Sequence, residues 1–117
     1  MPQSDEQLLK QLIAAFLRLT TGNSLIGIVS PDFHLVLPMG QTANQTDLET
    51  AASSSPFELL DVGDITISSA RDMAHTTFLA KDPADQSLVS IYTMIFGKNK
   101  DGRWVIVHAQ KSLAFPL

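Results

Sequence analysis

The chain contains no cysteine. Disulfides, iron–sulfur ligation, thiolate nucleophiles and cysteine-ligated zinc are excluded, so the fold rests on packing alone. No apolar run approaches the roughly 18 residues that a membrane helix needs. The polar, acidic first six residues have no signal-peptide character. A cytoplasmic protein away from membranes is the expectation. Charge is sparse at 17% of residues, with a net charge of −4 and a pI near 5.1. The eight lysines and arginines are scattered, which argues against nucleic acid or anionic membrane as the main partner. Their one local group, at 98–103, is diluted by Asp101 and reads as a solvated hairpin tip. There is a single tryptophan, Trp104, and a single tyrosine, Tyr92.

What is present suits a packed core. A hydrophobic fraction of 44% in 117 residues fits one domain spanning 1–117, and a chain of this size buries roughly two-thirds of its unfolded surface. No internal repeat or linker divides it.

Ser4, followed by two acids and Gln7, is a helix start with a capping box, its acids at the positive end of the dipole. Leu8, Leu9, Leu12, Ile13, Phe16 and Leu17 continue at helical spacing, and Gly22 with Asn23 stops the run. Residues 24–29 read as a second short helix, ended by Ser30-Pro31-Asp32, and 33–37 as a strand. Thr46 or Asp47 is placed to cap a short helix through Leu48 and Ala52. Beyond Pro56 the period becomes two. Strands are expected at 59–69, 73–81, 87–96 and 103–113, with turns at Arg71-Asp72, Asp82-Pro83-Ala84-Asp85 and Asn99–Gly102. The last three strands, joined by short turns, form an antiparallel meander. The class is α+β.

Strict alternation in the last strand puts Val105, Val107 and Ala109 on one face. It puts Trp104, Ile106, His108, Gln110 and Ser112 on the other. In the strand before it, Val89, Ile91, Thr93 and Ile95 oppose Leu88, Tyr92, Met94 and Phe96. Neither face is polar enough for bulk water. The helix covers one, and a second copy of the chain is the simplest cover for the other, so a homodimer through the sheet is expected.

The order of elements, ending in Asp101-Gly102-Arg103-Trp104-Val105-Ile106-Val107-His108-Ala109-Gln110-Lys111-Ser112, resembles the SnoaL-like domains of the nuclear-transport-factor-2-like superfamily. That resemblance implies a cystatin-like cone: a curved antiparallel sheet wrapped around N-terminal helices, with a pocket at the open end and dimers formed through the sheet. Relatives include isomerases, dehydratases, cyclases and members without known activity, so the fold leaves the chemistry open.

The candidate acids and bases are His34, His75, Tyr92 and Asp32, with Glu58 and Asp61 behind them. Imidazole suits proton transfer near neutral pH, and a phenol in a dry pocket can polarise a carbonyl. The three histidines lie on different strands without a ligand motif, so no metal and no cofactor is expected. Phe33, Met94, Trp104, His108 and Gln110 are the candidates for contacting a ligand. Met39 and Met73 join Phe57, Phe78 and Phe96 as an adaptable apolar lining. No catalytic motif of the resembled enzymes is matched residue by residue. The expected function is binding of a small apolar molecule in the cone; the alternative is a cofactor-free isomerase, lyase or cyclase acting on one.

Overall fold

The computed structural model describes residues 4–20, 22–52, 55–82 and 88–114. Helix α1 (Asp5–Leu17) starts as its sequence requires: Ser4 and Gln7 form the reciprocal capping box, with Asp5 and Glu6 in the first turn. Its inward stripe of Leu9, Ile13, Phe16 and Leu17 is buried. The expected second helix at 24–29 does not form. Ile28 and Val29 donate back to the Leu25 carbonyl in a single turn, and Gly27 takes φ 82°. The β-branched Ile26, Ile28 and Val29 favour leaving that turn as a strand.

Strand β1 (Val29–Val36) consequently begins four residues earlier than expected and runs through Ser30-Pro31-Asp32. Proline is tolerated because the register slips between Val29 and His34, where the missing N–H costs no ladder bond. A short β2 (Thr42–Ala43) pairs with β1. Helix α2 (Gln45–Ala51) follows, capped by Asn44 with Asp47 completing its box, in place of a cap at Thr46 or Asp47. The stretch read as one strand at 59–69 divides around Gly63-Asp64 into β3 (Glu58–Val62) and β4 (Thr66–Ile67). The meander is formed by β5 (Met73–Lys81), β6 (Val89–Lys98) and β7 (Trp104–Ala114). The hairpin turn at 99–102 is present, with the Asn99 side chain accepting from the Asp101 and Arg103 amides. The turn read at Asp82-Pro83-Ala84-Asp85 falls, from Pro83 on, outside the described residues.

The sheet runs β2-β1-β7-β6-β5-β3, with β4 also on β5. Every pairing is antiparallel except β1 with β7, so the sheet is mixed. It curves around α1, whose buried face meets Phe33, Phe78, Met94, Phe96 and Ile106 in one core.

One irregularity reassigns a face. Ile95 pairs with His108 but Phe96 pairs with Ile106, leaving Val107 as an extra residue in β7. A bulge of one residue reverses the alternation beyond it. Trp104 and Ile106 share a face, as expected, and that face is the concave one, but Ala109 and Lys111 join them there. His108, Gln110 and Ser112 move to the convex side with Val105. The register makes this plain, since Met94 faces Ala109 and Tyr92 faces Lys111 on the concave side.

Candidate functional site

Two hollows open on the helix side of the sheet. The larger, about 520 Å³, lies beside the start of α1, between Leu8, Leu12, Trp104 and Lys98. The polar groups at its Asp5 corner pair with one another. The Trp104 indole N–H donates to Asp5 at 3.1 Å, Arg71 donates to the other Asp5 oxygen at 3.2 Å, and Lys98 sits 5.0 Å from the Trp104 ring centre. The indole hydrogen bond, helped by Arg71, lowers the Asp5 pKa against the opposing effect of burial. This corner is a structural clamp between the helix start and the hairpin.

The second hollow, about 290 Å³, lies at the other end of α1. Phe16 and Leu17 close its floor, Leu35 and Leu37 come from the end of β1, and Leu48 with Ala51 comes from α2. Glu49 ties α2 in place. One carboxylate oxygen accepts from the Leu25 amide at 2.7 Å, from Gln45 at 3.0 Å and from the Ser24 hydroxyl at 3.1 Å. The Leu25 amide is the main reason the Glu49 pKa is lowered. Phe57 completes the wall, its amide bonded to the Leu17 carbonyl at 3.0 Å.

Three ionisable side chains line this otherwise apolar cavity: Tyr92, Lys111 and Asp82. Tyr92 is 3% exposed, stacked parallel on Phe78 at 5.0 Å and edge-on to Phe16 at 6.3 Å. Its hydroxyl makes no hydrogen bond among the described residues, which contain no fully enclosed side-chain polar atom lacking a partner; the oxygen therefore opens to the cavity. Lys111, half-buried, holds its ammonium 4.8 Å from the Phe57 ring and 5.8 Å from the Tyr92 ring. Burial lowers its pKa, with the Asp82 charge opposing.

Burial also raises the Tyr92 pKa, and the Asp82 charge adds to the rise. An unfolded chain releases a phenol proton from about pH 10, whereas the folded one keeps it. Below that pH both states are protonated and Tyr92 contributes no slope; above it, stability falls as pH rises. Lys111 has the opposite sign, since stability climbs between its lowered value and its ordinary one. The wild type is therefore expected to lose more stability than Tyr92→Phe between pH 10 and 11 by urea unfolding. Parallel curves would show a phenol that titrates freely in the fold.

The sequence candidates scatter across the structure. Of the acid–base set only Tyr92 lines the cavity. Asp32 is exposed on β1. His34, His108 and His75 fall in one row across the convex face, with His34 opposite His108, His108 opposite Ile95, and Ile95 opposite His75. None of the three lines either of the hollows described above. Among the ligand candidates, Phe33 and Met94 are core residues at 1% and 0% exposure, and Trp104 belongs to the Asp5 clamp. His108 and Gln110 lie on the convex side, not on the face of Trp104. Of the apolar lining only Phe57 reaches the cavity, and Met39 and Met73 are exposed. Among the described residues no three His, Asp or Glu side chains gather as a metal site. Lys111 and Asp82 were not legible as site residues. Strict alternation puts Gln110 where the bulge puts Lys111, and Asp82 reads as a turn residue.

No family model matches the chain, and no curated protein matches it in sequence. Solved structures do match in shape. A nuclear-transport-factor-2-like protein of unknown function from Prochlorococcus sp. NATL2A superposes with a TM-score of 0.78 at 20% identity, over 98% of this chain and 97% of its own. The fold is nuclear-transport-factor-2-like. A second protein of that fold, from Cytophaga hutchinsonii, gives 0.68 at 19% identity, covering 97% and 100% of the two chains. A ketosteroid isomerase-like protein from Erwinia carotovora atroseptica gives 0.61 at 16%, covering 95% and 94%. The nuclear-transport-factor-2-like cone accounts for the helix in the hollow of the sheet and the cavity at its end. No described helix is long and apolar enough to cross a membrane.

Proposed function

We propose that this domain, a SnoaL-like member of the fold, binds a small apolar molecule in the 290 Å³ cavity and works as a homodimer joined through the convex face of its sheet. The observation that carries the binding reading is a wall of leucine and phenylalanine interrupted at one place by Tyr92, Lys111 and Asp82. Such a cavity gains affinity from apolar burial and orientation from a few polar groups. Its size, at the low end for ligand sites, fits a molecule of about ten heavy atoms.

The dimer reading rests on the chain's own coverage. On the convex side Ile91, Thr93 and Ile95 of β6, with Thr77 and Leu79 of β5, form an uncharged patch left partly or fully exposed, with Asp61 and Lys81 at its margin. An uncharged patch with a charged rim is suited to its own symmetric copy. Native mass spectrometry tests both readings. Purified wild type is expected at twice the chain mass with a small-molecule adduct, and Thr93→Arg at the monomer mass with its fold retained. A monomeric wild type would remove the dimer. Loss of the adduct in Ala51→Trp, which fills the cavity mouth, would place the ligand there, and an adduct retained in that variant would move it elsewhere.

A second reading, a cofactor-free isomerase, lyase or cyclase, draws on the same three ionisable groups sharing one cavity. The ketosteroid isomerase-like neighbour also supports it. Tyr92 would donate to a carbonyl oxygen and Asp82 would take a proton from the adjacent carbon. Deuterium exchange into a bound ketone at that carbon, lost in Asp82→Asn, separates catalysis from binding alone; absence of exchange leaves binding.

A further inference from the structure

Tyr92 and Lys111 are direct partners across β6 and β7, so their side chains leave the same spot of the concave face. Both are donors. The Tyr92 hydroxyl has no acceptor among the described residues. The Lys111 ammonium has no carboxylate within 4.0 Å among them, its neighbours being the faces of Phe57 and Tyr92. Within this mostly apolar cavity, neither the half-buried ammonium nor the buried phenol meets a hydrogen-bond acceptor among the described residues. Ring faces attract the cation but accept no conventional hydrogen bond from it.

Given the binding reading above, we infer that the cavity's ligand is a small apolar carboxylic acid, whose carboxylate accepts from the Lys111 ammonium and the Tyr92 hydroxyl while its hydrocarbon part lies against Phe16, Leu35 and Leu48. A carboxylate offers two acceptor oxygens, one for each donor, and charge-assisted hydrogen bonds of this kind are the strong ones. A neutral alcohol offers one weaker acceptor oxygen and brings no charge into contact with the ammonium. Asp82 is the opposing feature of the wall: its charge favours the protonated form of Lys111, and it repels a carboxylate. The site thus discriminates by the direct contacts of two donors against one charge that acts by field.

The test uses a matched pair of probes, octanoate and 1-octanol, titrated calorimetrically at pH 7 against the purified full chain. Octanoate is expected to bind about tenfold or more tightly than octanol. Lys111→Met should abolish that preference, Tyr92→Phe should reduce it, and Asp82→Asn should increase it. Octanol binding as tightly as octanoate would overturn the carboxylate while leaving the apolar cavity intact. Failure of both probes to bind would overturn the cavity reading as well. The wild-type comparison and Asp82→Asn carry the test even if Lys111→Met folds poorly.

Discussion

Phe78→Ala is expected to cost about 3–5 kcal/mol, the usual range for removing a buried phenylalanine. The residue is 1% exposed in the middle of β5, and its ring lies parallel to Tyr92 at 5.0 Å with only 6° between the planes. Truncation opens a cavity under the sheet, and the Tyr92 ring that would have to move into it also packs edge-on against Phe16. Single domains of this size hold only about 5–15 kcal/mol in total, so the variant should sit close to its unfolding threshold at 25 °C. Thermal unfolding by circular dichroism checks this, with a fall in Tm on the order of 15 °C expected. A fall of only a few degrees would mean that the Tyr92 ring collapses into the space. In that case the Tyr92 wall of the 290 Å³ cavity is softer than its contacts imply.

Gly63→Ala is the second large effect, and it acts through backbone alone. A Cβ on Gly63 would lie 2.9 Å from the Thr77 carbonyl oxygen, closer than such contacts tolerate. The same glycine donates its amide to that oxygen at 2.8 Å. Its own carbonyl and that of Asp64 share the hydroxyl proton of the buried Thr76, at 3.2 and 3.1 Å. A methyl group cannot be accommodated by a rotamer change, since the atom it meets belongs to the paired strand. The edge formed by β3 and β5 must open, at about 1–3 kcal/mol for the overpacking and about 1 kcal/mol more for each hydrogen bond lost. Hydrogen exchange should show faster loss of the Gly63 and Phe78-region amides in the variant, with β6 and β7 unaffected. Uniform destabilisation would instead point to a global role for this glycine.

How far the sequence could be read depended on the range of the interaction. The capping box at Ser4 and Gln7, the apolar stripe of α1 and the bounds of β5 are local, and short-range patterns encode them. The missing helix at 24–29 was a contest between apolar spacing and β-branching, and the pairing of Val29 with β7 settles it in favour of strand. Asp5 looked like a partner for the helix dipole; its other role depends on Trp104, 99 positions away. The histidines are another long-range case. Their alignment in one row follows from the parallel pairing of β1 with β7, which no turn in the sequence announces. For the site, the single tyrosine was legible as a polar group on an apolar face. Lys111 was not, because its side depends on a bulge between two strands and not on its neighbours in the chain.

That bulge at Val107 affects how residues are matched between proteins of this shape. At 14–20% identity, positions are often paired by counting along strands from a landmark such as Trp104. Here the count is correct through Ile106 and off by one face afterwards. A chain of the same outline without the extra residue would present to its interior the side chain that aligns with Gln110, and to its exterior the one that aligns with Lys111. Correspondence between cavities in these proteins therefore has to be established strand by strand in space, and a gap of one residue in an alignment of the last strand marks an exchange of inside for outside.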